Sequence, residues 1–182
     1  MTMYELIAGF GQQLAEALEI GKKATLTSHS HPITNILVTG LGGSGMGADV
    51  VIDLTANTLQ VPMAVNKNYV LPAYVNQHTL VIASSYSGNT EETTNALQIA
   101  LDRKAKIVCV TTGGAMEKMA SEHGLDLIKL PSGRPPRASL GYSFIQQFLI
   151  LQHFGFIGNS FIAEVEAAIA LLAKEEENIK TQ

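Results

Sequence analysis

Thr79-Leu80-Val81-Ile82-Ala83-Ser84-Ser85-Tyr86-Ser87-Gly88-Asn89-Thr90-Glu91-Glu92-Thr93 is the stretch that decides the fold class of this chain. Its first five residues form an apolar β-type run, and Thr94-Asn95-Ala96-Leu97-Gln98-Ile99-Ala100-Leu101 beyond it reads as helix. A strand therefore delivers several hydroxyls to the N-terminus of a helix. Unpaired backbone N–H groups and the positive end of the helix dipole favour an anion there. Hydroxyls and free N–H groups without a cation suit a phosphate ester that must come and go. The alternative is a Ser/Thr-rich turn that only caps its helix, because Asn89 and Glu92 have the spacing of a capping box.

A second strand–loop–helix junction lies upstream. The apolar run Ile36-Leu37-Val38 leads into Thr39-Gly40-Leu41-Gly42-Gly43-Ser44-Gly45-Met46-Gly47, followed by the helix-type segment Ala48-Asp49-Val50-Val51-Ile52-Asp53-Leu54. Glycines there let the backbone turn sharply and approach a ligand with no Cβ in the way. Gly40, Gly42 and Gly45 match the spacing of the G-x-G-x-x-G dinucleotide fingerprint, which also needs an acidic residue at the end of the next strand. Val61-Pro62-Met63-Ala64-Val65 runs instead into Asn66-Lys67-Asn68, so that reading fails. A nucleoside-triphosphate P-loop fails too, because Met46 stands where Lys is required.

Apolar strands alternate with helical segments along the rest of the chain, which is the pattern of a parallel α/β sheet. Strands are predicted at 35–39, 61–65, 79–83, 106–111 and 126–130. Helices are predicted at 47–56, 91–104, 115–123 and 140–154, with a last one from Phe161 to Glu177. Leu6, Ile7, Phe10, Leu14, Ala17 and Leu18 give a helical stripe ahead of the first strand. The 182 residues, 46% of them hydrophobic, suit one domain with a sizeable core. A net charge of −4 and the lack of a basic cluster argue against a nucleic-acid surface. The single Cys109 reads as a buried strand residue and excludes an internal disulfide. Met1-Thr2-Met3-Tyr4-Glu5 has no basic flank and no long apolar segment, so no secretory signal is read there. Cytoplasmic residence is the expectation.

A third loop completes a pattern. Gly-Leu-Gly-Gly-Ser-Gly-Met-Gly at 40–47, Ser-Tyr-Ser-Gly-Asn-Thr-Glu-Glu-Thr at 85–93 and Leu-Pro-Ser-Gly-Arg-Pro-Pro-Arg-Ala-Ser-Leu-Gly at 130–141 together resemble the sugar isomerase (SIS) superfamily. More narrowly, they resemble the bifunctional phosphoglucose/phosphomannose isomerases, with Gly-Arg-Pro-Pro-Arg-Ala the most discriminating segment. The resemblance implies an SIS-type α/β fold: a doubly wound, Rossmann-like parallel β-sheet flanked by helices in three α/β/α layers. It implies that 1–182 is a single SIS domain, the first of two in the full-length family, with 174–182 as a linker toward a second. The activity implied is interconversion of glucose 6-phosphate or mannose 6-phosphate with fructose 6-phosphate through an enediol(ate). The family's proton-shuttling Glu and ring-opening His belong to the second half, so the chain alone is expected to be an incomplete isomerase. A non-catalytic SIS module that binds a sugar phosphate as a sensor or regulator is the alternative. The chain length favours it and the Gly-Arg-Pro-Pro-Arg-Ala segment opposes it.

By the same resemblance, Gly43, Ser44, Ser85, Ser87 and Thr90 line the substrate phosphate, and Arg137 is the catalytic residue. Removing a proton from carbon 2 of an open sugar leaves an enediolate, whose negative oxygen a fixed guanidinium stabilises. Pro135 and Pro136 restrict the loop that carries Arg137, and Arg134 is its rival, with surface solvation as the plainer role. Glu91 and Glu92 read as first-turn helix stabilisers that point away from the phosphate. Histidines 29, 31, 78, 123 and 153 do not form a metal pattern, so no metal and no cofactor is expected. The expected partners are a hexose 6-phosphate and either a second copy or a second SIS domain, without nucleic acid or membrane.

Overall fold

The computed structural model describes residues 2–180. Thr2 opens the first helix with a reciprocal cap, its N–H donating to Glu5 Oε2 at 2.6 Å while Glu5 N–H donates to Thr2 Oγ1 at 3.2 Å. The stripe expected as one helix is two, α1 (Met3–Ala8) and α2 (Phe10–Lys22), broken at Gly9. Leu6, Leu14, Ala17 and Leu18 are buried, but the break turns Ile7 outward to 66% exposure. The remaining elements are β1 (Asn35–Thr39), α3 (Gly42–Thr55), β2 (Met63–Asn66), β3 (Thr79–Ser84), α4 (Glu91–Asp102), β4 (Lys106–Thr111), α5 (Gly114–His123), β5 (Asp126–Lys129), α6 (Leu140–His153) and α7 (Ser160–Lys180).

The five strands form one parallel sheet in the order β2-β1-β3-β4-β5. Strand alternation sends Ile36, Val38, Leu80, Ile82, Val108 and Val110 to one face, against α2, α3 and α6. It sends Leu37, Val81, Ala83, Ile107 and Cys109 to the other face, against α4 and α5. Two apolar faces require a helical layer on each side, and the three-layer architecture follows. Among the described residues no helix is long and apolar enough to cross a membrane.

Two boundaries differ from expectation for physical reasons. Strand β2 begins at Met63 rather than Val61, because Pro62 has no N–H to donate; its carbonyl still accepts from Ile36 N–H at 2.9 Å. Helix α3 begins at Gly42, five residues before the predicted start at 47. Glycine resists helix by about 1 kcal/mol relative to Ala, but here close packing overrides that preference. A Cβ on Gly40 would lie 2.6 Å from the Ser84 carbonyl oxygen, and one on Gly45 would lie 2.6 Å from the Gly40 carbonyl oxygen. The predicted linker from 174 is helical through Lys180 as part of α7, and 181–182 lie outside the described residues.

The lower end of the sheet holds a buried ion pair. Lys106 Nζ lies 2.8 Å from Asp126 Oδ2, with side chains 10% and 4% exposed. Thr27 donates to the same carboxylate from its N–H and from its hydroxyl, both at 2.9 Å. Cys109 is buried in β4 as expected.

Burial first, and the Asp126 charge second, push the Cys109 thiol from 9.0 up to about 12. The native state therefore keeps a proton that the unfolded chain releases. This contribution to stability is complete below pH 9.0 and is lost as pH rises toward about 12. Urea midpoints are expected to fall more steeply across that window in the parent than in Cys109→Ala. Equal slopes in the two proteins would remove Cys109 from alkaline unfolding.

Candidate functional site

Strands β1 and β3 are neighbours, yet the chain leaves β1 toward β2 on one side and returns to β3 on the other. Helix α3, which follows β1, lies on one face of the sheet, and α4, which follows β3, lies on the opposite face. Their N-termini diverge from adjacent strand ends and leave a crevice, the place where open α/β sheets bind ligands. Register confirms the adjacency: Thr39 pairs with Ala83, so Gly40 and Ser84 stand side by side at the mouth.

The loop after β3 is built to leave helix N–H groups open. Thr90 is the N-cap of α4 but makes no side-chain cap bond. Its Oγ1 instead lies 2.8 Å from Ser85 Oγ, and Ser85 Oγ also accepts from Gly88 N–H at 3.1 Å. The Asn89–Glu92 capping box is absent. Asn89 Oδ1 accepts from Ala115 N–H at 2.9 Å, fastening the loop to α5. Met116 N–H donates to the Gly88 carbonyl at 2.9 Å, and Thr112 Oγ1 donates to that of Tyr86 at 2.8 Å. Gly88 has φ +70°, and a Cβ there would run into the Gly113 carbonyl oxygen. The loop is thus held from the α5 side, while the first turn of α4 faces the crevice.

Ser85 is buried, Thr90 half-buried and Ser87 exposed at the rim. Ser87 Oγ accepts from Asn89 N–H at 3.3 Å, a turn contact that leaves its own proton free. At the other strand end, Gly43 is half-buried in the first turn of α3, and Ser44 is buried with its Oγ 3.5 Å from Ser143 Oγ. The α3 N-cap, Leu41, offers no side-chain cap either. Glu91 is exposed and accepts from the Tyr69 hydroxyl at 3.4 Å. The charge of Glu92, followed by burial and the charge of Glu91, raises the Tyr69 pKa above its ordinary value.

The third loop reaches the same region through residues that sequence patterns did not single out. Gln13 on α2 donates from Nε2 to the Ala138 carbonyl and accepts from Gly141 N–H, both at 2.8 Å. The Tyr142 hydroxyl donates to Glu16 Oε2 at 2.5 Å, and burial and then that bond raise its pKa. The Tyr86 hydroxyl donates to the Pro131 carbonyl at 2.8 Å and accepts from Arg134 N–H at 3.3 Å. The Arg134 guanidinium lies 5.8 Å from the centre of the Tyr142 ring. Arg134 is thus half-buried and packed, not the solvated surface residue expected. Arg137 is exposed on the short 3₁₀ turn Pro136–Ala138 and has no hydrogen bond or ion pair among the described residues. It borders an apolar cavity of about 460 Å³ lined by Met3, Leu6, Ile7 and Phe10. The Pro136 carbonyl oxygen would lie 3.5 Å from a Cβ on Gly43, so the first and third loops meet.

The structure therefore brings the Gly43–Ser44 turn and the Ser85–Thr90 pair to adjacent strand ends. Arg137 sits on the loop beside them but faces the apolar cavity. His29, His31 and His78 gather at the other end of the sheet, with ring centres 5.5 Å apart along the row. His29 Nε2 and His78 Nδ1 donate to the carbonyls of Gln77 and Pro32. Among the described residues no group of three His, Cys, Asp or Glu side chains is placed to hold a metal ion.

The sequence model of the SIS domain family matches residues 31–149, which span the sheet and all three loops. The chain is 41% identical over 180 residues to a bifunctional phosphoglucose/phosphomannose isomerase of Caldicellulosiruptor bescii, covering 99% of this chain and 53% of that relative. It spans about half the length of the curated relatives it matches. The fold is similar to tagatose-6-phosphate ketose/aldose isomerase from Escherichia coli, with a TM-score of 0.59 at 18% identity over 90% of this chain and 47% of that one. It is also similar to the Vibrio vulnificus NanR protein complexed with ManNAc-6P, with a TM-score of 0.52 at 17% identity over 90% of this chain and 60% of that one.

Proposed function

This chain belongs to the SIS domain family, and from that membership we propose that it is the phosphosugar-binding domain of an aldose–ketose isomerase. The observation that carries the reading is the Ser85–Thr90 hydroxyl pair at 2.8 Å, which occupies the N-cap side chain of α4 and leaves the helix N–H groups uncapped. A phosphate accepts from N–H and hydroxyl donors together, and the helix dipole adds to the attraction. The substrates proposed are glucose 6-phosphate or mannose 6-phosphate, interconverted with fructose 6-phosphate, in line with what the C. bescii relative is named for.

In this reading Gly43, Ser44, Ser85, Ser87 and Thr90 hold the phosphate, which anchors the sugar while the open chain extends toward Arg137. A base takes the proton from carbon 2 and the electron pair moves to the carbonyl oxygen O1; the O2 hydroxyl proton passes to O1, and a proton returns at carbon 1 as the carbonyl forms at carbon 2. Arg137 stabilises the resulting enediolate, and this path needs no cofactor. The base Glu and ring-opening His come from a second SIS domain, the chain pairs with such a domain or with a second copy, and the site is cytoplasmic.

The chain by itself is expected to bind fructose 6-phosphate in calorimetry and to give little or no turnover in a coupled assay. Turnover should appear when it is joined to the remaining half of the C. bescii relative. Full activity of the isolated chain would refute the two-domain reading. Binding with no turnover in the joined protein would instead favour a sugar-phosphate sensor.

Replacing Ser44 or Ser87 by Ala removes one hydrogen bond to a charged group, worth about 1.5–3 kcal/mol, and replacing Ser85 or Thr90 breaks the hydroxyl pair that has one proton left for the phosphate. Affinity for glucose 6-phosphate is expected to fall roughly 10- to 150-fold for each. Binding of unphosphorylated glucose should be indifferent to all four. A variant that binds the phosphate ester as tightly as the parent takes its residue out of the site.

A further inference from the structure

Helix α6 presents two buried polar side chains to the back of the glycine loop, one turn apart: Ser143 and Gln147. Gln147 Nε2 approaches the Ser44 carbonyl oxygen at 3.5 Å, and Ser143 Oγ lies 3.5 Å from Ser44 Oγ. Only the NH₂ end of an amide can face a carbonyl, so Gln147 Oε1 is turned elsewhere. That oxygen is buried without a partner, and so is Ser84 Oγ at the end of β3. Strand alternation places Ser84 with Leu80 and Ile82, on the face covered by α3 and α6. Gln147 Oε1 and Ser84 Oγ are thus two unpartnered polar atoms on the sheet face that α3 and α6 cover.

Such atoms destabilise a fold, and an apolar group of the same size would remove the cost. Gln147, kept polar against the Ser44 carbonyl at that cost, is therefore a candidate for a compensating role. We propose that Ser143 and Gln147 are positioning residues for Ser44. This rests on the phosphate reading of Ser44 given above. Gln147 fixes the first turn of α3 through the Ser44 carbonyl. Ser143 gives its hydroxyl proton to Ser44 Oγ, which frees the Ser44 proton to point at the phosphate. A hydroxyl that accepts one hydrogen bond donates the next more strongly, so the pair works as a short relay. Distances of 3.5 Å are long for hydrogen bonds, and the relay requires the hydroxyl pair to close up when the anion takes the Ser44 proton.

The test uses the 182-residue chain, with Gln147→Met and Ser143→Ala made separately. Two quantities are read: the thermal midpoint without ligand, and the affinity for glucose 6-phosphate and for inorganic phosphate by calorimetry. Gln147→Met keeps the volume and removes the unpartnered oxygen, so its midpoint is expected to rise by about 2–4 °C. Its affinity for both probes is expected to fall about 5- to 10-fold. Ser143→Ala is expected to keep the parent's midpoint and to lose affinity to a similar degree. A purely structural role lowers midpoint and affinity together, and that result overturns the proposal. Parent-like affinity in both variants overturns it as well and leaves the phosphate site standing. A parent that binds neither probe overturns the site reading and this assignment together.

Discussion

Arg137→Lys, made in the chain joined to the second half of the C. bescii relative, is expected to lower kcat by about 10²- to 10³-fold, the loss that follows removal of one oxyanion donor. KM should change little, because an enediolate exists only along the reaction path and its stabilisation belongs to the transition state. Lys retains the charge but loses the planar fork, so the variant separates geometry from electrostatics. Arg137 is suited to the role because it is exposed and uncommitted, on a turn whose backbone Pro135 and Pro136 restrict. Arg134 is already engaged, with its guanidinium 5.8 Å from the Tyr142 ring centre. Arg134→Lys should therefore show itself mainly as lost stability, through the 131–139 loop. A loss in KM alone would move Arg137 to ground-state phosphate binding. A larger kcat loss at Arg134 would exchange the two assignments.

Asp126→Ala is expected to be the most damaging single change to the fold. Removing this carboxylate leaves Lys106, 10% exposed, as an unpaired buried charge whose remaining contacts are Thr27 Oγ1 at 2.6 Å and the Phe154 ring, 5.8 Å from its centre. Breaking a buried pair in this way costs about 3–5 kcal/mol. For a domain of this size that lowers the thermal midpoint by roughly 6–20 °C. The segment before β1 is anchored through Thr27 to the same carboxylate, so it is released as well. Replacing both partners with apolar residues, as in Lys106→Met with Asp126→Leu, should recover most of the loss, because the cost lies in the orphaned charge. If the double variant is no more stable than Asp126→Ala, packing or the Thr27 anchor carries the stability instead.

Local signals marked the strands well. Ile36–Val38, Leu80–Ala83 and Ile107–Val110 are apolar on both faces, as central parallel strands must be, and each lies where its pattern put it. The signals failed where a contact distant in sequence outweighed a local preference. The glycines of 42–47 argue against helix on propensity, yet they are helical, and a Cβ on Gly45 or Gly47 would crowd the Gly40 carbonyl or Phe144. Asn89 has the spacing of a cap but is bonded to Ala115, 26 residues away. Arg134 resembles a solvated loop residue until Tyr142 and Tyr86 are brought beneath it. Gln13 and Glu16 gave no signal beyond being polar residues in an amphipathic helix, although they hold the third loop.

The sequence by itself determined the alternation of strand and helix and the identity of the three loops that leave strand ends. These depend on side-chain period and backbone dihedral preference, energies settled within a few residues. The tertiary structure decided which loops meet, because the reversal of strand order between β1 and β3 is a property of the whole sheet. It also decided which polar groups pair: Gln13 with Gly141 across 128 positions, Thr27 with Asp126 across 99, and Ser44 with Ser143 across 99. Bonds over such separations form only once both apolar faces of the sheet are covered, since burial removes the water that would otherwise satisfy each group.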